Sequence, residues 1–212
     1  MLPGPNIIYK CPHCGNLLKN GSLQSGNTFG AKVYSDGKRI APMLPRFPDI
    51  VQCKKCDHYL WLSKLEEIGT EEWNQVENAD WANAPLVDFL KRDAYFKVLE
   101  SGIVESKADE LLVRTLLWHS YNDKLRVRKR DLLFKDEQEE LKWRENCVQL
   151  IALLDSSDIN DCIMIAELYR NLGDYTRCME IINAIDNDEL DWLKEKFGEA
   201  CEEKNRWVFA LN

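Results

Sequence analysis

Eight cysteines occur in this 212-residue chain, and four of them form two pairs with the spacing of metal ligands. Each pair is a Cys-x-x-Cys sequence, and the four residues are Cys11, Cys14, Cys53 and Cys56. Two such turns bring four thiolates together, which is the ligand set of a tetrahedral Zn²⁺ site with Zn–S distances of about 2.3 Å. The spacing therefore predicts one zinc ion per chain. Because four thiolates leave no coordination position for water, we expect this zinc to be structural and not catalytic.

The residues around the two cysteine pairs predict the local backbone. Apolar residues flank each pair on both sides, so each pair is expected at the tip of a β-hairpin. Gly15 follows the first pair and Asp57 follows the second, and both residue types accept the positive φ of such a turn. These features resemble a zinc ribbon, and the chain resembles uncharacterised bacterial zinc-ribbon proteins. The resemblance implies a small β domain and brings no activity with it.

Composition indicates a globular chain with an uneven charge distribution. Hydrophobic residues make up 45% and charged residues 30%, which is typical of a folded protein. Residues 1–64 contain nine basic and three acidic side chains, a net charge of +6. The remainder contains 19 basic and 33 acidic side chains, a net charge of −14. We expect a basic head and an acidic body of this kind to have different partners, or to bind each other.

The remaining cysteines and the absence of long apolar runs predict a location. No secretion signal is visible at the N-terminus, and no apolar run approaches the roughly 20 residues of a membrane helix. Four cysteines occur singly in apolar helical patterns and are expected to be small buried side chains: Cys147, Cys162, Cys178 and Cys201. Cysteines of these kinds favour a reducing compartment, so we expect a cytoplasmic protein that does not contact a membrane.

Basic residues are concentrated in the zinc-ribbon region. The insertion between the cysteine pairs contains Asp36-Gly37 between short apolar flanks, which predicts a β-hairpin with a type I′ turn. The candidate nucleic-acid-binding residues are Lys32, Lys38, Arg39, Lys54 and Lys55. Because aromatic residues are interspersed with the insertion's basic residues, this region would suit a nucleic-acid backbone and its bases. The alternative is a solvated hairpin over a small core, in which the aromatic side chains serve packing.

From Pro85 onwards the apolar residues recur with helical spacing. The first helix is predicted to begin at Pro85 and to stop at Gly102. The second is predicted to begin at a capping box that starts with Ser106, and the third at Asp136. The residues after Pro85 are therefore expected to form an array of helices.

One face of the second helix is a candidate binding site. The residues that recur there every four positions are Arg114, Trp118, Asn122 and Arg126. This face would suit an anion or a partner; the alternative is a polar stripe partly buried between helices. His119 precedes Asp123 by four residues in the same helix, and such a pair would provide an oriented general base. An enzyme site near Arg114, Trp118 and His119 is therefore a further alternative.

The segment from 158 to 204 resembles a tetratricopeptide repeat. Residues 166–175 match the helix–turn–helix junction of that family, with the small Ala166 where two helices approach and Gly173 at the turn. Cys178 stands where alanine is usual, no proline closes the unit, and no second repeat of the same period is visible upstream. The resemblance implies a helical body that presents a surface to peptides, with Tyr169 and Tyr175 in the candidate groove.

These patterns predict an α+β protein with a small N-terminal β zinc ribbon followed by an all-α body. The expected domains are a zinc ribbon with an extra hairpin over residues 1–68, a connector over 69–84 and a helical domain over 85–212. The expected function is that of a non-catalytic zinc-binding interaction or adaptor protein with a protein or peptide partner. The alternatives are a nucleic-acid-associated factor that uses the basic ribbon, and the enzyme site above. The sequence leaves the oligomeric state open.

Overall fold

The fold is α+β, as predicted, with strands in the first part of the chain and helices in the rest. The computed structural model describes residues 1–72, 78–127 and 133–212, so part of the predicted connector, residues 73–77, lies outside the described residues. Two compact units form. Unit 1 comprises Met1–Ala31 and Ile40–Val104, and unit 2 comprises Lys32–Arg39 and Glu105–Asn212. The domain bounds proposed from the sequence, 1–68, 69–84 and 85–212, stay predictions.

The strands are β1 (Leu2–Lys10), β2 (Leu17–Ser25), β3 (Lys32–Val33), β4 (Arg39–Ile40), β5 (Ile50–Gln52), β6 (Tyr59–Trp61) and β7 (Glu67–Glu71). The α-helices are α1 (Ala79–Ala82), α2 (Arg92–Glu100), α3 (Lys107–Arg126), α4 (Glu137–Leu153), α5 (Ile159–Leu172), α6 (Tyr175–Asn183) and α7 (Asp191–Glu202). Two short 3-10 helices occupy Leu62–Lys64 and Asp188–Leu190.

Unit 1 is built on a three-stranded antiparallel sheet with the strand order β2-β1-β7. Strands β5 and β6 form a separate antiparallel hairpin, in which Val51 lies opposite Leu60. Each hairpin carries one cysteine pair at its tip, as predicted. A compact core joins the two hairpins, and its buried members are Tyr9, Cys11, Leu18, Val51, Cys53, Leu60 and Leu62.

The helix predicted to begin at Pro85 is wrong over its first seven residues. Residues 85–91 are not helical, and α2 begins only at Arg92. The backbone N–H of Lys19 donates to Pro85 O at 2.9 Å, and Val87 N–H donates to Lys19 O at 2.8 Å, so this segment follows β2 as extended chain. Leu86, which began the predicted apolar stripe, is 57% exposed. Pairing with the strand therefore replaces the helix that local periodicity favoured, while the predicted stop at Gly102 is confirmed by its φ of 79°.

Unit 2 contains helices α3 to α7, and several of their predicted starts are confirmed. The side chains of Ser106 and Asp136 accept hydrogen bonds from backbone N–H groups in the first turns of α3 and α4. Helix α5 ends at Leu172, and the next residue, Gly173, has a φ of 88° and makes the turn into α6. No strand occurs between residues 158 and 204, all of which the structure describes. Ala166 is fully buried in the core between α5, α6 and α7, with Cys178, Ile182, Ile185, Leu193, Phe197 and Cys201.

The hairpin between β3 and β4 forms, but its turn differs from the predicted type I′. Only Gly37 has a positive φ, at 75°, whereas a type I′ turn needs positive φ at both central residues. Gly37 N–H donates to Tyr34 O at 2.9 Å, and Tyr34 N–H donates to Lys38 O at 3.0 Å. This is the pattern of a three-residue loop that ends in a left-handed glycine. Most of the hairpin belongs to unit 2.

Among the helices that the structure describes, none is both long and apolar enough to span a membrane.

Candidate metal centre

The two Cys-x-x-Cys turns have the same backbone hydrogen bonds. In the first, Cys11 O accepts from Gly15 N–H at 2.9 Å, and Cys11 N–H donates to Asn16 O at 2.8 Å. In the second, Cys53 O accepts from Asp57 N–H and Cys53 N–H donates to His58 O, both at 2.9 Å. Two different stretches of sequence thus adopt the same turn conformation. In each turn, both thiols point towards the other turn.

Positive φ values close both turns, as the sequence predicted. Gly15 has a φ of 70° and Asp57 a φ of 59°. Glycine takes this conformation without a steric penalty, and aspartate is one of the few other residue types that visits it regularly. Within the described chain, Asp57 and Lys204 are the non-glycine residues with positive φ. The second turn therefore has the same backbone conformation as the first, at the cost of some strain at Asp57.

The four cysteine sulfurs form a cluster of tetrahedral size. Cys11 Sγ lies 3.7 Å from Cys56 Sγ, and Cys14 Sγ lies 3.6 Å from Cys53 Sγ. All four ligand atoms lie within 4.8 Å of one another. A tetrahedron with Zn–S bonds of about 2.3 Å has S···S edges of about 3.8 Å, whereas a disulfide needs about 2.05 Å. The separations therefore fit a metal shared by four thiolates and not disulfides.

The environment of the sulfurs favours charge on some of them and opposes it on others. Burial raises the pKa of Cys53, but the N–H groups of Lys55 and Cys56 and two neighbouring thiols outweigh it and lower the pKa to about 7. For Cys56 the N–H of His58 lowers the pKa, but burial and the three other thiols of the cluster raise it to about 12. Four thiolates this close repel one another, and a divalent metal ion bonded to all four offsets two of their four negative charges.

Two histidines lie beside the cluster and are not members of it. The exposed rings of His13 and His58 stack with their centroids 3.9 Å apart and an angle of 15° between their planes. His58 Nδ1 lies 3.0 Å from Cys56 O. The ring stack joins the two turns on the outside of the cluster. In the described part of the chain, the four cysteines are the one group of three or more potential ligands close enough for a metal.

The candidate nucleic-acid-binding residues are divided between the two units. Lys32, Lys38 and Arg39 belong to unit 2, and Lys54 and Lys55 belong to unit 1. Lys38 is already paired with Asp123 at 2.7 Å, and Lys54 with Asp88 at 2.8 Å. Lys32, Arg39 and Lys55 are exposed. A single basic face formed by all five residues stays a prediction.

The polar face of α3 lies mainly inside unit 2. Trp118 and Asn122 are buried, and the Arg126 side chain is only 2% exposed. Arg114 is the most accessible of the four and pairs with Glu110 at 2.7 Å. Of the two interpretations of this face, its burial favours the polar stripe between packed elements. A binding role for it stays a prediction.

Three further candidate residues also have partners within unit 2. Tyr175 Oη donates to Lys204 O at 2.7 Å, and Tyr169 Oη accepts from Arg177 at 3.3 Å. His119 does not form the predicted pair with Asp123, because its Nε2 faces Asp36 O at 3.1 Å. Burial lowers the pKa of His119, although Asp36 opposes that effect. A histidine placed in this way supports the α3–hairpin contact and lies away from solvent.

A buried polar network that the sequence patterns did not predict surrounds the tip of the β3–β4 hairpin. The carboxylate of Asp36 is fully buried, pairs with Arg126 and accepts a hydrogen bond from Asn122 Nδ2 at 2.8 Å. His119 Nε2 lies 3.8 Å from the same carboxylate. Burial by itself raises the pKa of Asp36, but His119, Arg126 and Asn122 outweigh it and hold the pKa below its usual value. The carboxylate is therefore ionised and compensated.

A second carboxylate continues this network inside α5. Glu167 and Arg170 are both fully buried and form an ion pair at 2.6 Å. Ser35 Oγ and Asn171 Nδ2 donate to Glu167 at 2.9 and 3.1 Å. Arg170 also donates to the carbonyls of the C-terminal tail, one of them Trp207 O at 3.0 Å. We call these residues the buried polar network: Ser35, Asp36, His119, Asn122, Arg126, Glu167, Arg170 and Asn171.

One signal of this network was present in the sequence. Glu167 and Arg170 are three residues apart in α5, among Ile165, Ala166 and Leu168, which are buried. Two opposite charges inside an apolar helical pattern indicate a buried ion pair. Nothing local indicated that Ser35 and Asp36 would be their neighbours.

No protein-family model matches this chain, and no curated protein or solved structure is significantly similar to it. The four-cysteine cluster supports a site of the zinc-ribbon kind on its own geometry.

Proposed function

We propose that this chain is a non-catalytic zinc-binding protein that binds a protein or peptide partner. The observation that carries the first half is the four-sulfur cluster, with Sγ–Sγ separations of 3.6 and 3.7 Å. Four thiolates complete a tetrahedral shell, so the zinc would stabilise unit 1 and would have no position for a substrate. Cys11 and Cys53 are buried in the core of unit 1, which is where a metal contributes to folding.

Native mass spectrometry tests the metal assignment directly. The purified chain should carry the mass of one zinc ion, and denaturation in acid should release it. A wild-type chain that is fully folded and free of metal would contradict the assignment. If a different metal binds to the four cysteines, the metal site is correct and only the identity of the metal changes.

Exposed apolar side chains on α4 support the partner-binding half of the proposal. Leu141 is 64% exposed and Val148 is 53% exposed. Residues seven apart lie on the same face of a helix, so the two side chains form one apolar strip on the outside of unit 2. Apolar residues grouped in this way favour contact with another protein more than solvation. Helical arrays that resemble tetratricopeptide repeats present such surfaces to peptides.

Partner capture with matched variants tests this half. The doubly substituted chain Leu141→Glu with Val148→Glu should lose proteins that cross-link to the wild type, because the charges would be desolvated on binding. Trp192→Glu is the control, since Trp192 is 47% exposed on α7 of the same unit. Equal capture by all three chains would remove α4 from the proposal. Turnover of a small molecule that His119→Asn abolishes would overturn the non-catalytic assignment.

A second candidate function is association with nucleic acid, which the exposed Lys32, Arg39 and Lys55 favour. Binding that depends on phosphate contacts weakens steeply as salt rises. Neutralising Lys32 and Arg39 together should then weaken binding to all sequences and flatten the salt dependence. Retention of the protein on RNA or DNA that is insensitive to these changes would contradict this alternative.

A further inference from the structure

The most exposed large apolar side chain of the described residues is Phe29, at 86%. It occupies an ordered turn, in which Ala31 N–H donates to Thr28 O at 2.9 Å. The side chain of Asn27 accepts from Phe29 N–H at 3.0 Å, and Gly30 takes a φ of 71°. The backbone of the turn is therefore fixed while its ring faces solvent. A large aromatic side chain on a preorganised turn loses little entropy on binding, which is typical of an anchor in a protein interface.

A second loop of unit 1 adds apolar surface next to this turn. Asn27 N–H donates to Met43 O at 3.2 Å, which joins the two loops. They approach so closely at Gly26 that a Cβ there would lie 2.9 Å from Leu44 Cδ1. Met43 is 37% exposed and Leu44 42% exposed. We call Phe29, Met43, Leu44 and Arg46 the Phe29 surface.

The charges of this segment indicate the chemistry of a partner. Within unit 1, the charged residue that lies closest in the sequence to Met43 and Leu44 is Arg46. Arg46, two residues after Leu44, is 52% exposed and lies 3.8 Å from Asp49, a separation that holds it weakly. Apolar side chains beside an available guanidinium complement a surface that is apolar at its centre and acidic at its edge.

Resting on the protein-partner function proposed above, we propose that the Phe29 surface binds an amphipathic segment of a partner protein with an apolar stripe and acidic flanks. The ring of Phe29 enters the apolar stripe, with Met43 and Leu44 beside it. Arg46 pairs with a carboxylate at the flank, which orients the segment and disfavours basic partners.

A pair of synthetic peptides tests the proposal on the full-length, zinc-loaded chain. The probe is a fluorescein-labelled helix of about 18 residues, five turns, with a leucine stripe and glutamate flanks. The comparison peptide carries lysine in place of every glutamate. Fluorescence anisotropy should show that the glutamate peptide binds about tenfold or more tightly than the lysine peptide, and Phe29→Ala should weaken it by about tenfold. Arg46→Glu should reverse the preference between the peptides.

Phe89→Ala is the matched control, because Phe89 belongs to the same unit and is 57% exposed. It should bind the glutamate peptide as the wild type does. Because both phenylalanines are exposed, both variants should retain the wild-type zinc content and melting temperature. Equal binding of the two peptides, or unchanged binding after Phe29→Ala, would overturn the proposal.

Two further measurements identify other occupants of the surface. Binding to vesicles of anionic lipid that Phe29→Ala abolishes would assign the surface to a membrane and overturn the proposal. A concentration-dependent dimer in gel filtration that Phe29→Ala abolishes would assign it to a second copy, with the same consequence. If Phe29→Ala still captures a partner that the α4 double variant loses, the proposed function stands and this surface is excluded from it.

Discussion

The cysteine cluster of unit 1 and the buried polar network of unit 2 each hold several ionisable groups out of water. The cluster consists of four identical side chains on two local turns, and its charge requires a metal ion. The network consists of different side chains from a hairpin and two helices, with backbone carbonyls of the C-terminal tail as further acceptors, and its acidic groups pair with Arg126 and Arg170. The comparison shows two ways to stabilise buried charge. In unit 1 a bound metal ion offsets it, and in unit 2 side chains from distant parts of the same chain do so.

The two solutions are expected to contribute very differently to stability. A structural zinc supplies folding free energy directly, because the unfolded chain has no formed site. A buried ion pair loses hydration when it forms, and its Coulomb attraction often only balances that loss. We therefore expect the network to contribute little net stability. Its main effect is expected to be that the hairpin and the helices pack in one arrangement and not in others. Removing one member of it is costly all the same, because the remaining charge is left buried without a partner.

The largest expected effect is that of removing one zinc ligand. In Cys53→Ser the chain should lose its zinc and unit 1 should unfold, because structural zinc sites contribute about 10–16 kcal/mol of apparent binding free energy in small zinc domains. Zinc analysis and circular dichroism provide the measurement. Cys162→Ser is the control, since Cys162 lies outside the cluster and is only partly buried. A Cys53→Ser chain that keeps both its zinc and its fold would contradict the conclusion that a metal ion stabilises unit 1.

The next effect in size is that of breaking the ion pair in α5. Arg170→Met should destabilise unit 2 by about 3–5 kcal/mol, because Glu167 would remain buried without its cation. The double variant Arg170→Met with Glu167→Met should recover most of that loss, since both charges are then absent. Urea unfolding of the three chains gives the measurement. If the double variant is as unstable as the single one, the pair contributes net stability and the contrast with the zinc centre is weakened.

The cysteine turns could be predicted from the sequence and the buried polar network could not, because their residues lie at very different distances along the chain. Each cysteine pair spans four residues, so its turn, its positive φ position and its ligand role follow from local sequence. In the network, Asn122 bonds Asp36 across 86 residues and Ser35 bonds Glu167 across 132 residues. No local pattern encodes such pairs. The helix predicted from Pro85 failed for the same reason, because a strand distant in the sequence offers its backbone to residues 85 and 87.

A third prediction tests how tightly the helix that carries Glu167 and Arg170 is packed. Ala166→Leu should cost about 1–3 kcal/mol, because Ala166 is fully buried and the larger side chain would overpack its contact with α6. Ala152→Leu, at an exposed position of α4, is the control and should change stability by less than about 0.5 kcal/mol. Equal effects of the two substitutions in urea unfolding would show that α5 packs loosely. Its buried charges would then be the main determinant of its position.

The smallest expected effect is the change with pH in the free energy of unfolding that His119 causes. Burial lowers the pKa of this imidazole below its ordinary value of 6.5, so between those two pKa values the unfolded chain binds a proton that the folded chain excludes. The free energy of unfolding should therefore fall as pH drops below about 6.5, and stop falling from this cause once pH passes the folded pKa. Asp36, whose pKa is lowered from 3.8, adds a loss only in more acidic solution.

Urea unfolding between pH 7 and pH 5, followed with a zinc-binding dye, separates this effect from metal release. The wild type should lose stability across this interval before the dye reports zinc, whereas His119→Asn should show a flatter dependence from a lower starting stability. His119→Gln, which keeps a hydrogen-bond donor of similar length towards Asp36 O, should show the same flatter dependence. Slopes in both variants equal to that of the wild type would mean that His119 is not the source of the acid sensitivity.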